Sequence, residues 1–400
     1  MVDVSKFKTI YTGSVKNLRL KKAVTANKPG VLLFEFTDDY SIFDYGKMPD
    51  QIPRKGATAA ISSAYFFERA SSAAAWKELA KADVWNTLRQ PQLRDELLNS
   101  KALKLLKRAG MPTHYRGILN HKGQTVTLDK LTEPSNVIEV AAVNIVHPQP
   151  LPFGGVRIWN YNHIHSAMKN ILVPLECVFR FGMPEGSSLT KRLQRIPDYH
   201  KQLGLNKMPR EGQMLSRPVV EYFSKLEPAD RYLPYEWALN IAGLSNEQFL
   251  TVTHYTLLLA LFLKHEFAKA KVTLWDGKFE FLRTDAITLG DAITPDELRL
   301  TMRGVQISKE PIRQYYRKHE PKFVAAMDRA KDIAQQVDKP LAKIVGEDLK
   351  CPPPKMDPKF HAAVADMFIG LTEAVCRTGL FGATPSLPKV MKTFAEFGIA

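Results

Sequence analysis

The sequence predicts a mixed fold, α/β to α+β, in which antiparallel strands are flanked by helices. Two apolar runs, Val31–Phe36 and Ile171–Phe181, have the length and composition of buried strands. The stretch Lys271–Leu300 alternates polar and apolar residues, turns at a polar segment and returns, which indicates a hairpin. Helical spacing covers 57–109 and 245–270, and a chain of 400 residues usually forms two or three lobes.

Composition and charge restrict the partners of this chain. The formal net charge of +15 at pH 7 favours anionic partners, which include nucleic acid, membrane surfaces and phosphorylated small molecules. No basic run is interleaved with aromatic residues, so we expect no nucleic-acid binding. The longest apolar run, Leu257–Leu263, is far shorter than the roughly twenty residues that a membrane span needs.

The start of the chain lacks the apolar core of a signal peptide. Its three cysteines, Cys177, Cys351 and Cys376, are scattered and form no CxxC pair. This spacing favours neither a disulfide framework nor a zinc cluster. We therefore expect a cytoplasmic protein that binds phosphorylated small molecules and makes no contact with membranes.

The first candidate site is the turn Gly13–Lys16, in which small residues precede a lysine. Such a turn can offer backbone N–H groups and an ammonium group to phosphates, although a plain hairpin turn has the same pattern. The strand Val31–Phe36 then leads into TDDYSIFD at 37–44 and into the basic turn at 54–56. Polar loops at the carboxyl end of an apolar strand commonly hold ligands, and Asp side chains also order such loops.

A second candidate site follows the strand Ile171–Phe181, where a Gly/Ser loop enters a basic segment. Arg180, the amides of the loop, and the hydroxyl groups of Ser187 and Ser188 could together bind a phosphate. The sequence therefore places a second cluster of phosphate-binding groups at the end of the second apolar strand.

Helices account for most of the remaining chain. Ser245 and Gln248 have the pattern of a capping box, which predicts a helix that begins there and ends near Ala270. The apolar run of this helix indicates nearly complete burial. After the hairpin, Lys309 and Arg313 are four residues apart on a predicted helix, so their side chains face one side.

The hairpin carries the third candidate site. Because successive side chains of a strand point to opposite faces, Asp276, Lys278 and Glu280 share one face. If the turn is centred near 285–286, Asp291 on the return strand becomes the cross-strand neighbour of Glu280. Two carboxylates beside a lysine could hold a divalent metal against phosphate oxygens. The alternative is a solvated hairpin face with ordinary ion pairs.

Taken in order, these motifs resemble those of the phosphoribosylaminoimidazole-succinocarboxamide synthase (SAICAR synthetase) family. In the first half, Gly13-Ser14-Val15-Lys16 resembles the family's GKxK turn, TDDYSIFD resembles TDRISAYD, Arg54-Lys55-Gly56 resembles (E/R)KG, and GMPTHY at 110–115 resembles GIPTHF. In the second half, Pro174-Leu175-Glu176 with Arg180 and Gly186-Ser187 resembles PLEVVVR…GS, and Lys225 with Asp230 resembles the next substrate loop. DGKFEF, LGDAITPDELR and SKEPIR then resemble DFKLEFG, LGDEISPDxxR and DKxxxR.

The chain also departs from the family pattern. The loop before Ser187 and Ser188 is one residue longer than usual, so these two residues compete for the role of the family's serine. Ala292 stands where the family usually has an acid, Ser308 where it often has Asp, and Ser14 where its turn has a lysine. We therefore expect a divergent member.

The resemblance implies an ATP-dependent ligase of de novo purine biosynthesis. The family joins a carboxylate of an aminoimidazole ribonucleotide (CAIR) to the amine of L-aspartate through an acyl phosphate, which gives SAICAR. It implies ATP and Mg²⁺ as cofactors and a cleft for ATP between two lobes. The alternatives are another ATP- and Mg²⁺-dependent ligase or small-molecule kinase on the same scaffold, and a nucleic-acid-binding protein explained by charge alone. The oligomeric state is left open, with a homo-oligomer among the options.

The resemblance also implies roles for individual residues. Lys278, Glu280 and Asp291 would be catalytic, and Glu280 and Asp291 would hold Mg²⁺. ATP would contact Gly13, Lys16, Glu176, Lys225 and Lys278. The substrates would contact Asp38, Ser41, Asp44, Lys55, Arg180, Ser187, Asp230, Arg299, Lys309 and Arg313.

We expect three domains. They are a nucleotide-binding lobe with a helical insertion at 1–176, a second lobe with the substrate and Mg²⁺ site at 177–319, and a C-terminal helical extension at 320–400. The stretches 65–108, 140–168 and 320–400 are additions about which the resemblance says little.

Overall fold

Two antiparallel sheets with flanking helices form the framework of the computed structural model, which describes residues 2–26, 28–154, 156–227, 230–334 and 339–399. This architecture confirms the expected class, in which helices accompany antiparallel sheets. The division into three domains stays a prediction.

The first sheet has six strands in the order β1-β2-β3-β6-β4-β5. They are β1 (Lys8–Thr12), β2 (Lys16–Lys22), β3 (Gly30–Phe36), β4 (Tyr115–Leu119), β5 (Thr125–Val126) and β6 (Val137–Ala142). The third strand lies in the middle of this sheet and is almost entirely buried, as its apolar sequence predicts. A separate two-stranded ribbon follows, formed by β7 (Gln149–Phe153) and β8 (Val156–Asn160).

The second sheet has seven strands, with β11-β10-β9-β12-β14-β15 in order and β13 paired to β12. They are β9 (Ile171–Met183), β10 (Gln213–Ser224), β11 (Tyr232–Leu233), β12 (Thr273–Arg283), β13 (Ile287–Leu289), β14 (Leu298–Met302) and β15 (Val305–Gln306). The central strands β9 and β12 are the second apolar run and the first arm of the hairpin, so both sequence predictions are confirmed.

The helices form three groups. The insertion between the first-sheet strands contains α1 (Lys55–Ser71), α2 (Ala73–Leu79), a 3₁₀ helix (Asp83–Thr87), α3 (Pro91–Asn99) and α4 (Lys101–Ala109), and a 3₁₀ turn follows at Leu128–Lys130. The group that lies in sequence between β9 and β14 contains α5 (Ser188–Arg195), α6 (Tyr199–Gln202), α7 (Tyr235–Ile241), α8 (Asn246–Lys269) and a 3₁₀ turn (Pro295–Glu297). The last group contains α9 (Glu310–His319), α10 (Pro321–Ala334), α11 (Leu341–Lys343), a π-helical turn (Ile344–Asp348), α12 (Pro358–Cys376) and α13 (Leu387–Glu396).

Helix α8 is the centre of the core. The expected capping box is present, because the Ser245 side chain accepts from the Gln248 N–H and the Gln248 side chain accepts from the Ser245 N–H. The helix packs on the second sheet with one side and on the insertion with the other, where Phe262 stacks on Trp76 at 5.1 Å between ring centroids. The insertion therefore covers the helix that supports the second sheet. No described helix is long and apolar enough to cross a membrane.

A short backbone contact joins the two sheets. The N–H of His114 donates to the Leu289 carbonyl at 2.9 Å, and the N–H of Leu289 donates to the Pro112 carbonyl at 2.8 Å. The segment that precedes β4 thus pairs with β13 of the hairpin. This contact places the amino-terminal turn of the first sheet next to the end of the hairpin.

A buried network joins the loop that follows β3 to the C-terminal segment. Tyr40 donates to Asp50 Oδ1 at 2.6 Å, and its hydroxyl lies 3.1 Å from that of Tyr316. Tyr316 donates to the Pro354 carbonyl at 2.7 Å, and the N–H of Met356 donates to Asp50 Oδ2 at 3.0 Å. Both tyrosines are fully buried. The C-terminal segment, here residues 354–356, therefore helps to hold this loop in place.

We expect Tyr316→Phe to lower the free energy of unfolding by about 1–3 kcal/mol, because it leaves a buried carbonyl without its donor. Urea denaturation followed by circular dichroism measures this change. Tyr11→Phe is the control, since Tyr11 is 58% exposed, and it should stay within about 0.5 kcal/mol of the wild type. Equal stability of both variants would show that the network does not hold the C-terminal segment.

Candidate active site

A cluster of three lysines and four carboxylates lies where the two sheets meet. Its members come from β2, β9, β12, the ends of β10 and β13, and the 3₁₀ turn before β14. They are Lys16, Lys225, Lys278, Glu176, Glu280, Asp291 and Glu297. We call this set the charge cluster.

Lys278 occupies the middle of the charge cluster. Its Nζ lies 3.0 Å from Glu176 Oε1 and 3.2 Å from Glu280 Oε1. The same nitrogen lies 3.5 Å from Glu297 Oε2 and 3.8 Å from Asp291 Oδ2. Strand geometry explains the first two contacts, because Glu280 of β12 pairs with Glu176 of β9 and Lys278 lies two residues away on the same face.

The other two lysines approach from opposite sides. Lys225 Nζ lies 2.7 Å from Glu176 Oε1 and 3.1 Å from Glu280 Oε1. Lys16, from the first sheet, forms an ion pair with Asp291 and lies 4.6 Å above the ring centroid of Phe34. Six charged residues that the resemblance assigns to ATP or Mg²⁺, Lys16, Glu176, Lys225, Lys278, Glu280 and Asp291, are thus neighbours in space, although they span 16–291.

Glycine is required in the turn that presents Lys16. The N–H of Gly13 donates to the Lys16 carbonyl at 2.9 Å, which closes the turn. A Cβ at Gly13 would lie 2.8 Å from that carbonyl oxygen, closer than such contacts normally allow. The expected turn therefore exists, and it holds the lysine at the edge of the charge cluster.

The hairpin register differs by one residue from the expectation. Phe281 pairs with Leu289, and the N–H of Gly290 donates to the Glu280 carbonyl at 2.9 Å, so Glu280 is not directly opposite Asp291. Asp291 reaches the cluster because its φ is +55°, which ends the strand. His114 Nε2 lies 2.8 Å from the Asp291 carbonyl and helps to fix this conformation.

The two candidate metal ligands have different electrostatic environments. Burial raises the pKa of Glu280, and the negative charge of Asp291 raises it further. Burial would also raise the pKa of Asp291, but the ammonium groups of Lys16 and Lys278 outweigh it and hold that pKa well below its ordinary value. Two buried carboxylates that repel each other are a donor set that a divalent cation would stabilise, so these residues fit Mg²⁺.

Glu176 and Lys278 shift each other's pKa in opposite directions. Burial would raise the pKa of Glu176, but Lys278 and Lys225 lower it below the ordinary value. Burial would lower the pKa of Lys278, whereas the carboxylates of Glu297 and Glu280 hold it well above the ordinary value. Lys278 therefore carries full positive charge, which suits it to bind phosphate groups.

Arg180 is buried rather than open to a ligand. Its Nε donates to Glu221 Oε2 at 2.5 Å and its Nη1 to Asp276 Oδ2 at 2.7 Å. The guanidinium also donates to Ser187 Oγ at 3.5 Å and to Ser188 Oγ at 3.2 Å. With 3% of its surface exposed, Arg180 holds the loop of the two serines in place.

Ser187 and Ser188 differ in their exposure to solvent. Ser187 is 3% exposed, and its side chain caps α5 by accepting from the Leu189 N–H at 3.4 Å. Ser188 is exposed and so is the more accessible hydroxyl. Arg299 lies beside this loop, where its Nη2 donates to the Gly186 carbonyl at 3.1 Å and its Nη1 to Asp276 at 2.8 Å.

A third group of charges lies between α1 and α9. Lys55, which is 2% exposed, pairs with Asp296 Oδ2 at 2.5 Å. Burial lowers the pKa of Lys309, although the carboxylate of Asp296 opposes this effect. Arg313 Nη1 donates to Glu310 Oε2 at 3.0 Å. These three cations were assigned to substrates from the sequence, and here they surround two buried carboxylates.

The loop after β3 contains the remaining acidic candidates. Asp38 accepts from the Gly56 N–H at 2.9 Å and the Arg54 N–H at 3.1 Å, so it orders the start of α1. Asp44 is exposed and pairs with Lys331 at 2.8 Å, and Ser41 is half-buried. These contacts agree with the alternative that Asp side chains order the loop.

Asp230 lies near the charge cluster but at the surface. Its side chain is exposed, yet partial burial and the charge of Glu176 raise its pKa. The carboxylates of Asp296, Glu297 and Glu310 were missed as site residues by sequence reasoning. The signal was present, because all three lie within the motifs LGDAITPDELR and SKEPIR, but their partners are distant in sequence.

We expect Lys55→Met to lower the free energy of unfolding by about 3 kcal/mol, because it leaves the buried Asp296 carboxylate without its closest cation. Urea denaturation measures the change, and the double variant with Asp296→Asn should recover part of it. The control is Lys101→Met, since Lys101 pairs with Glu247 at the surface and its loss should cost less than about 1 kcal/mol. Unchanged stability of Lys55→Met would contradict a buried pair.

Comparison with known proteins gives one consistent family. The family profile described as SAICAR synthetase matches residues 9–330. A protein of Archaeoglobus fulgidus, provisionally named phosphoribosylaminoimidazole-succinocarboxamide synthase, is 34% identical over 311 residues, which are 77% of this chain and 80% of that protein. The phosphoribosylaminoimidazole-succinocarboxamide synthase of Thermoplasma volcanium is 23% identical over 320 residues, or 78% of this chain and 83% of the relative.

A solved structure shows the same fold. SAICAR synthase from Saccharomyces cerevisiae, complexed with SAICAR, superimposes with a TM-score of 0.55 at 16% identity, and the match covers 94% of this chain and 97% of that one. The profile match extends over most of the chain and includes every member of the charge cluster. The chain therefore belongs to the SAICAR synthetase family.

Proposed function

We propose that this chain is a phosphoribosylaminoimidazole-succinocarboxamide synthase, which uses ATP to join the carboxylate of CAIR to the amine of L-aspartate. The observation that carries the proposal is the charge cluster, because it combines two candidate metal ligands with three phosphate-binding lysines in a chain of this family. A cytoplasmic location stays a prediction from the sequence, and a homo-oligomer stays one option for the oligomeric state.

The chemistry explains why such a cluster is needed. A carboxylate is a poor electrophile, because oxide is a poor leaving group. Transfer of the γ-phosphoryl group forms a bond from a carboxylate oxygen to phosphorus and breaks the bond to ADP. The aspartate amine then attacks the acyl carbon, an amide bond forms, phosphate leaves, and the amine gives up a proton. Negative charge accumulates in the first step, so the site must supply positive charge.

The charge cluster can supply this positive charge. Lys16, Lys225 and Lys278 now pair with carboxylates, and ATP would offer phosphate oxygens in exchange. Glu280 and Asp291 would hold Mg²⁺, which supplies charge neutralisation at the phosphates when it is bound. The backbone of β9 near Glu176 would contact adenine. Fixed groups of this kind cost little reorganisation during the reaction.

The groups beside the cluster support binding of CAIR. Arg299 donates to the Gly186 carbonyl, and the exposed Ser188 follows two residues later in the same loop, which suits a phosphate. Arg180 would act through this loop as a positioning residue, because its own guanidinium is occupied. Two buried polar atoms, Asp296 Oδ1 and Ser308 Oγ, have no hydrogen-bond partner among the described residues. Buried atoms of this kind favour a polar ligand at that place.

L-Aspartate, whose amine attacks the acyl carbon, needs a site of its own. Asp38, Ser41, Asp44 and Lys55 stay candidates for the region of L-aspartate. Asp38 already accepts from the N–H groups of Arg54 and Gly56, and Lys55 already pairs with Asp296. Lys309 and Arg313, which lie on the same side of α9, are the cations best placed to receive an anionic substrate next to Lys55. We therefore assign substrate carboxylates to these two side chains.

The direct test measures ADP and succinocarboxamide formation with ATP, Mg²⁺, CAIR and L-aspartate, omitting each in turn. We expect turnover only when all four are present, since each takes part in the reaction. ATP hydrolysis that does not need CAIR, or product from another carboxylate in place of CAIR, would contradict the proposal and favour a different ligase or kinase on this scaffold.

We expect Glu280→Gln and Asp291→Asn each to lower kcat by at least about 10²–10³-fold, because each removes a candidate metal ligand at the phosphoryl group. The matched control is Asp285→Asn at the tip of the same hairpin, where the carboxylate is exposed and pairs with Lys169. It should retain activity within about twofold of the wild type. Circular dichroism checks that all three variants fold, and a folded Glu280→Gln variant with full activity would exclude this assignment.

A further inference from the structure

A second concave site lies behind the second sheet. Phe181 and Arg180 are neighbours on β9, so their side chains point to opposite faces, and Arg180 faces the side of Glu176. On the face of Phe181, a cavity of about 260 Å³ lies between the sheet, α8 and the insertion. It is lined by Asn86, Thr87, Arg89, Phe181, Met214, Leu215, Pro218 and Lys264. We call it the back cleft.

The back cleft continues into a neighbouring cavity. This second cavity measures about 380 Å³, shares Arg89, Met214 and Leu215 with the back cleft, and adds Lys207. The described residues that line the two cavities include three cations and no carboxylate. Amides and hydroxyls complete the polar lining. In a protein interior or cleft, cations normally pair with acids, so an acid-free set of this kind is unusual.

Lys264 is the half-buried member of this set, whereas Arg89 and Lys207 are exposed. It projects from α8, and its Nζ lies 4.3 Å from the ring centroid of Phe181. Burial lowers its pKa to about 8. Arg89 is exposed at the mouth of the cleft, and neither cation pairs with a carboxylate in the described part of the chain. An anion in the cleft would compensate both charges.

The shape of the site indicates which kind of anion fits. The lining of the back cleft is concave, and its aromatic ring, that of Phe181, lies against Lys264. This leaves no exposed aromatic surface in the lining on which the bases of a nucleic acid could stack. Together the two cavities have the size of a small-molecule site. We propose that the back cleft binds a small phosphorylated anion, with Lys264 and Arg89 as its charge partners. The proposal does not depend on the proposed function.

Chemical labelling of lysines tests this site without an activity assay. Folded protein is treated with a limiting amount of an acetylating ester at pH 7, and mass spectrometry measures acetylation of Lys264 and of exposed Lys271. Pyrophosphate at millimolar concentration should slow labelling of Lys264 by at least about fivefold and leave Lys271 unchanged, since only the first amine lies in the cleft. Orthophosphate and adenosine monophosphate in parallel distinguish a free anion from a phosphorylated metabolite.

The variants make the result specific. Protection of Lys264 should disappear in Arg89→Gln and persist in Arg116→Gln, an exposed arginine outside the cleft. Protection should also weaken as the pH rises through about 8, because a neutral amine no longer attracts phosphate. Labelling of Lys264 that is insensitive to all three phosphates would overturn the proposal. Protection that survives in Arg89→Gln, or a Lys264 that stays unlabelled from pH 7 to pH 9, would overturn it equally.

Discussion

The structure depends on mutual compensation of charges that are removed from water where the two sheets meet. Lys278 lies within 4 Å of four carboxylates, and the buried Glu280 among them depends on this neighbouring cation. Lys16 comes from the first sheet and Asp291 from the end of the hairpin, so their ion pair requires both sheets to be in place. The charge cluster is therefore complete only when the two sheets are docked.

The two faces of β9 and β12 carry different kinds of side chain, charged on one face and aromatic on the other. On β9 and β12, one face presents Glu176, Lys278 and Glu280 to the charge cluster. The other face presents aromatic side chains, with Phe179 and Phe279 stacked at 5.0 Å between ring centroids, to the core around α8. A rigid apolar layer thus fixes the positions of the charged side chains, which is how fixed dipoles and charges lower the energy of a phosphoryl transfer.

Local signals in the sequence predicted the elements but not all of their partners. The apolar runs gave β3 and β9, and the capping box at Ser245 gave the start of α8, because these features depend on near neighbours. The hairpin register was wrong by one residue, since the left-handed conformation of Asp291 ends the strand in a way that period-two alternation does not encode. Buried partners such as Glu221 for Arg180 lie far apart in sequence and depend on the folded structure.

The most direct measurement is the position of the metal in a crystal grown with Mn²⁺ and a non-hydrolysable ATP analogue, located by anomalous diffraction. The account predicts a peak within about 2.0–2.3 Å of carboxylate oxygens of Glu280 and Asp291, with the phosphates of the analogue against Lys16 and Lys278. A nucleotide bound with its metal elsewhere, while the ion pairs of the charge cluster remain closed, would contradict it.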